Sequence, residues 1–139
     1  MTLLNPYLSF RGTAKEALEF YQSVFGGELT LSTFGEAGMP VDESEKSQIM
    51  HGQLVSPTGL ALMGADTPSH MEYHPGDNVS VSLSGDDEAE LTGYWQKLSA
   101  NATVTAPFEK APWGDIFGMC TDQYGTHWMV NVSGATASE

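Results

Sequence analysis

Four histidines, a single cysteine and a set of methionines and neutral amides are the side chains of this 139-residue chain best equipped to bind or transform a small molecule. His51 and His127 fall in alternating, strand-like runs, where a neutral imidazole can hydrogen-bond a ligand or take its proton near neutral pH. Against that, a lone histidine on a strand is more often a hydrogen-bonded structural residue. His70 and His74 sit in the polar stretch 64–77 with Asp66 and Glu72, metal donors by type but of a kind that turn-rich loops collect by chance. Cys120 has no internal disulfide partner and alternates with Ile116 and Gly118, so it reads as a small buried hydrophobe and not as a nucleophile. Trp113 and Trp128 read as core or interface packing before ligand stacking, and the methionines read equally well as filler of a sheet interior.

Those residues need strands to position them. The stretch 113–131 (WGDIFGMCTDQYGTHWMVN) contains two strand-like runs, 115–121 and 126–132, around the turn Asp122-Gln123-Tyr124-Gly125. The same object occurs at 48–64 around Ser56-Pro57-Thr58-Gly59, with Gly52, Gly59 and Met63 matching Gly118, Gly125 and Met129 at a constant offset of 66 (59 to 125). A second match aligns 5–12 (NPYLSFRG) with 78–85 (NVSVSLSG), and Leu18, Tyr21 and Phe25 with Leu91, Tyr94 and Leu98, at an offset of 73 (5 to 78). The polar insert 38–47 accounts for the difference. The chain therefore reads as a duplication in which each copy is strand, helix, then three strands. Copies of about 65 to 70 residues bury too little apolar surface to stand alone, so a single domain is expected, made of repeats 1–66 and 76–134 joined by a linker, 67–75.

Within the first copy, 3–10 alternates with Asn5, Tyr7 and Ser9 on one face and Leu4, Leu8 and Phe10 on the other. Thr13 and Glu16 have the spacing of a capping box, and Ala14, Ala17, Leu18, Tyr21, Val24 and Phe25 form one helical stripe ended by Gly26-Gly27. A second strand is expected over 28–34. In the second copy a strand covers 78–83, Asp86 or Asp87 caps a helix with the stripe Leu91, Tyr94, Trp95 and Leu98, and Gly93 inside it costs about 1 kcal/mol against Ala. A strand over 102–108 ends near Pro107, and 133–139 reads as a frayed tail.

With 40% hydrophobic residues the chain is globular. Its 18 acidic and 5 basic residues give a net charge of −13, which repels phosphate backbones and anionic lipids and excludes nucleic acid or membrane as the main partner. No positively charged, apolar leader precedes Asn5 and no apolar run nears the roughly 20 residues that cross a bilayer, so a cytoplasmic location is expected. No glycine-rich strand-to-helix loop is present for a nucleotide-type cofactor, since Gly26-Gly27 stands at a helix end. No cofactor is expected.

The motifs NPYLSF (5–10), EALEFY (16–21) and FGG (25–27), with WGD (113–115) and DQYGTHW (122–128), resemble the PhnB-like branch of the vicinal oxygen chelate superfamily, also called the glyoxalase/bleomycin-resistance fold. The resemblance covers nearly the whole chain and implies an α+β fold, tandem βαβββ modules forming curved mixed sheets around a concave cleft. In metal-dependent members each copy supplies one ligand from its first strand and one from its last, usually His and Glu. Carried onto this chain, those positions are Asn5 and Asn78, and Met63 and Met129. Amides and thioethers are poor ligands for the usual divalent ions, so no metal is expected, nor the polarisation of a bound carbonyl.

The resemblance leaves a small-molecule pocket lined by Asn5, Tyr7, His51, Met63, Asn78, Phe117, His127 and Met129, with Ser80, Gln53 and Met119 beside them. It implies a protein that binds or sequesters a small organic ligand, neutral or cationic in keeping with the acidic surface. The alternative is a divergent enzyme of lyase, isomerase or dioxygenase type, using relocated ligands or His51 or His127. A scaffold that only dimerises is a third reading, if Tyr7, Met63 and Met129 fill the concavity. A homodimer is expected, with pairing of copies within or between chains left open.

Overall fold

An apolar residue every three or four positions makes a helix bury one stripe, and α1 (Ala14–Phe25) buries Ala14, Ala17, Leu18, Tyr21, Val24 and Phe25. In the computed structural model, which describes residues 2–134, α1 lies against a four-stranded sheet. Its strands are β1 (Tyr7–Phe10), β2 (Glu28–Thr33), β3 (Ile49–Val55) and β4 (Ala61–Asp66), in the order β1-β4-β3-β2. β1 runs parallel to β4 and the other pairs are antiparallel. A short helix α2 (Phe34–Ala37) and a 3-10 turn at Glu43–Glu45 fill the insert between β2 and β3.

The second unit repeats the plan with β5 (Val81–Gly85), α3 (Glu88–Ser99), β6 (Thr103–Lys110), β7 (Ile116–Thr121) and β8 (His127–Val132), in the order β5-β8-β7-β6. β5 is parallel to β8 and the rest are antiparallel. Each unit is thus a βαβββ module with one long helix on one face of an open mixed sheet, the α+β architecture that the motifs imply. Backbone contacts divide the chain between Pro75 and Gly76.

The offset of 66 holds in three dimensions. Ser56 and Asp122 start equivalent turns, in which Ser56 N donates to Leu60 O (2.8 Å) and Asp122 N to Thr126 O (2.9 Å). Gly59 and Gly125 take φ of 93° and 91°, a conformation that side chains resist, which is why both turns end in glycine. The offset of 73 is corrected for the first strands. Tyr7 stands opposite Met63, and Ser82 opposite Met129, so Ser82 and not Ser80 is the counterpart of Tyr7. Residue-type matching placed Asn5 against Asn78, two residues out of step with the pairing of Tyr7 and Ser82 to their last strands.

Other expectations shift for physical reasons. β1 starts at Tyr7, because the ladder to β4 opens with Met63 N donating to the carbonyl of Pro6, which has no N–H of its own. Leu4 is fully exposed and joins no helix-facing side. The Thr13 hydroxyl caps nothing. Instead Asp66, from the far end of β4, accepts from Gly12 N (2.7 Å) and Ala14 N (3.1 Å). Phe34 leaves the second strand to open α2, where Thr33 and Glu36 form a complete capping box. Asp87 is the residue that caps α3, through Glu90 N, while Tyr94 stays half-buried with its hydroxyl on Glu90 and Trp95 carries the stripe. β6 continues past Pro107 because it is an edge strand and the proline sits in a register irregularity between Ala106 and Glu109.

The segment 67–75, read as a linker, is tied to the first unit. Arg11 donates to the carbonyls of Thr67, Pro68 and Met71 and lies 5.3 Å over the Tyr73 ring, and buried Glu45 accepts from Ser69 N (2.9 Å) and Oγ (3.1 Å). At the other end Ser133 N donates to Gly85 O, so the stretch read as a tail is held at its start. The rest of that stretch, 135–139, lies outside the described residues.

Candidate functional site

Strand alternation gives each sheet a helix-covered face and an open one. In β4, Leu62, Gly64 and Asp66 are buried while Ala61, Met63 and Ala65 are only half-covered. On that open face, register sets Tyr7, Met63, Gln53 and Thr30 in one row across four strands, with His51 opposite Ser32 in the next. The row turns into a contact where the Tyr7 hydroxyl meets His51 Nδ1 at 3.2 Å, the two rings tilted with centroids 5.7 Å apart. Tyr7 is half-exposed, and partial burial pushes its phenol above the ordinary value, so it stays a neutral hydroxyl, with the imidazole tautomer deciding which of the two partners donates.

The second unit repeats the geometry with other chemistry. Ser82, Met129, Met119 and Ala106 form the matching row, and Phe117 pairs with Asn131 on one side and Glu109 on the other. His127 faces Thr121 across the strands, and its Nδ1 lies 2.8 Å from Thr121 Oγ1, which leaves Nε2 for a ligand. Trp113 leans edge-on against Phe117 with centroids 5.7 Å apart.

Of the residues singled out from sequence, Tyr7, His51 and Met63 share the open face of the first sheet, and Phe117, His127 and Met129 that of the second. Asn5 and Asn78 are not strand residues; each precedes its strand, Asn5 half-buried and Asn78 exposed. Cys120 is buried, and its thiol is pushed up to about 11 by burial first and by the Asp122 charge second, which removes it as a nucleophile. Trp128 is fully buried with its indole N–H on Asp122 Oδ2 (2.8 Å), while Trp113 is 62% exposed and does not serve as core packing.

The metal positions carried by the resemblance do not fit a metal. Met63 and Met129 present thioethers, and Asn5 and Asn78 present amides. Among the described residues no three His, Cys, Asp or Glu side chains gather as a metal-holding group. His74 Nε2 contacts Glu72 at 3.1 Å with both side chains exposed, and Asp66 is committed to the amides of Gly12, Ala14 and Ile49. Sequence reading missed Asp66 and Asp122 as buried organisers. The turn pattern around Asp122 contained a signal for one of them, since Asp often accepts from amides two residues on, as Asp122 does from Tyr124 (2.8 Å).

Among known proteins, the family model of the Glyoxalase/Bleomycin resistance protein/Dioxygenase superfamily matches residues 3–130. Protein YjdN of Escherichia coli (strain K12) is 27% identical over 140 aligned residues, covering 93% of this chain and 94% of that protein. The crystal structure of protein PA1353 from Pseudomonas aeruginosa is 33% identical, with a TM-score of 0.84 over 96% of this chain and 99% of its own. The PhnB protein of Bacillus cereus has the same fold at 23% identity, with a TM-score of 0.76 over 95% of this chain and 100% of its own. Among the described residues no helix is long and apolar enough to cross a membrane. The chain, two βαβββ modules with PhnB-like structural neighbours, belongs to the glyoxalase/bleomycin resistance protein/dioxygenase superfamily.

Proposed function

We propose that this protein binds, and so sequesters, a small organic molecule on the helix-free faces of its sheets without the help of a metal ion. The observation that carries the proposal is the Tyr7–His51 pair, a hydrogen-bonded phenol and imidazole on a face that also presents Met63 and Gln53. Apolar surface with a few placed polar groups is what small-ligand sites are made of. Thioethers at the positions where metal-dependent relatives carry imidazole and carboxylate support binding over chelate chemistry. The face of His127, Met129 and Phe117 is the second half of the proposal, with Asn5 and Asn78 at the strand entrances.

The test is a thermal-shift screen of small organic compounds followed by titration of a hit into variants. His51→Ala and Tyr7→Phe should each weaken a hit by about tenfold, equivalent to about 1.4 kcal/mol, with little change in folding. His127→Ala should weaken a ligand held on the second face in the same way. Unchanged affinity in all three variants would sink the reading. So would elemental analysis finding one tightly held metal per chain in protein purified without chelator.

A second reading rests on the same contact. A phenol and an imidazole in hydrogen-bond contact can pass a proton between them, the chemistry of a metal-free isomerase or lyase. Turnover of a bound hit, abolished in His51→Ala, would favour the enzyme over the sequestering protein. A homodimer, carried by the family likeness, and a cytoplasmic location complete the proposal, and sedimentation at micromolar concentration tests the first.

A further inference from the structure

Resting on that reading, we infer that the open face of the second unit takes an organic cation, an alkylammonium group held against the Trp113 and Phe117 rings beside the carboxylates of Glu109 and Asp115. Trp113 is the observation to explain. An indole 62% exposed forfeits most of the burial that makes tryptophan useful in a core, yet it is held edge-on to Phe117 with centroids 5.7 Å apart and an interplanar angle of 62°. Two rings so arranged offer a π-face to a cation.

The charges around the rings have one sign. Asp115 accepts from Gly134 N (2.8 Å) and Asn131 Nδ2 (3.0 Å), and the Trp113 side chain also reaches it. These donors, the Gly134 amide above all, hold its carboxyl below the ordinary value, so a fixed negative charge stands next to the indole at neutral pH. Glu109 is the register partner of Phe117 on β6, and directly opposed residues of an antiparallel pair point to the same face. It is exposed and makes no ion pair among the described residues.

The basic side chains of this unit are placed elsewhere. Lys110 is paired with Ile116, one residue out of step with Phe117 and therefore on the opposite face, and Lys97 belongs to the last turn of α3. With neither lysine of this unit on that face, and a chain net charge of −13, the patch repels anions and attracts ammonium groups.

The experiment titrates benzyltrimethylammonium and, separately, phenylacetate into the full chain, followed by amide and indole proton–nitrogen NMR. The expected result is saturable shifts at the Trp113 indole and at the amides of Phe117 and Glu109 with the cation and none with the anion. Affinity should fall about tenfold in Trp113→Ala and about fivefold in Glu109→Gln, both exposed positions, and should weaken as salt rises. Equal shifts with phenylacetate, no saturable shift at these residues, or undiminished affinity in both variants would overturn the inference. Cation shifts centred on Tyr7 and His51 with Trp113 silent would overturn it too, while leaving the broader face-binding reading intact.

Discussion

The two units share a plan, and each gathers several backbone amides on one buried carboxylate, placed at opposite ends of that plan. In the first, Asp66 at the end of β4 takes the amides of Gly12, Ala14 and Ile49, joining the start of α1 to the start of β3. In the second, the equivalent position is Val132, and the buried carboxylate is Asp122, in the hairpin turn, taking Tyr124 N, Thr126 N and the Trp128 indole. The first unit meets the same turn with Ser56, whose Oγ accepts from Leu60 N at 3.0 Å. The difference follows from the helix starts. α3 caps itself through Asp87, whereas Thr13 leaves α1 uncapped and a carboxylate distant in sequence must supply the acceptor. A conserved backbone plan thus tolerates relocation of its polar anchors wherever amides would otherwise be orphaned.

The sharpest way to break this comparison is Asp66→Ala. It strands three amides gathered from separate elements and should destabilise the first unit by about 3–5 kcal/mol in urea unfolding. Asp122→Ala should cost less, about 2–3 kcal/mol, because the turn's own backbone bonds survive. Equal losses would mean that both carboxylates do the same job.

Next in size are the paired glycines under the helices. A Cβ on Gly118 would stand 2.9 Å from the Phe108 Cα and 3.0 Å from the Trp95 ring, whereas one on Gly52 would meet the Leu18 Cδ1 at 2.4 Å, the end of a side chain that can turn. Gly118→Ala should therefore cost about 2–3 kcal/mol and Gly52→Ala about 1 kcal/mol, read from the same denaturation curves. The reverse order would show that the Leu18 site is the more rigid.

The smallest effect belongs to Cys120. Its folded value of about 11 lies above the ordinary 9.0, so its contribution to stability is whole below pH 9 and is lost as pH rises toward 11. At pH 8 the folded thiol should resist iodoacetamide and react freely once unfolded. Rapid labelling of native protein would contradict its burial.

Much of this was legible along the chain. The 3.6-residue stripe of α1, the strand alternation around each hairpin and the glycine-ended turns at Gly59 and Gly125 are local signals, and local structure obeyed them. The contact of Tyr7 with His51 was half legible. Alternation put each on an open face, but their meeting depends on β4 lying between β1 and β3. The α1 cap was illegible, because the local Thr13–Glu16 pattern suggested one donor–acceptor pairing and a carboxylate 52 residues from Ala14 won it. The strand equivalence of Tyr7 with Ser82 was hidden for a related reason. Residue-type matching rewards Asn5 against Asn78, while hydrogen-bond register is indifferent to residue type.

By itself, then, the sequence determined the duplicated βαβββ order, the family, the faces of each strand and the acidic character of the surface, because these follow from periodicity, composition and short-range turn chemistry. Tertiary structure alone decided which amides needed a distant carboxylate, which strands lay side by side and that Trp113 stands in the open against Phe117. Those outcomes depend on which unsatisfied groups chain folding brings together, and no local pattern records that.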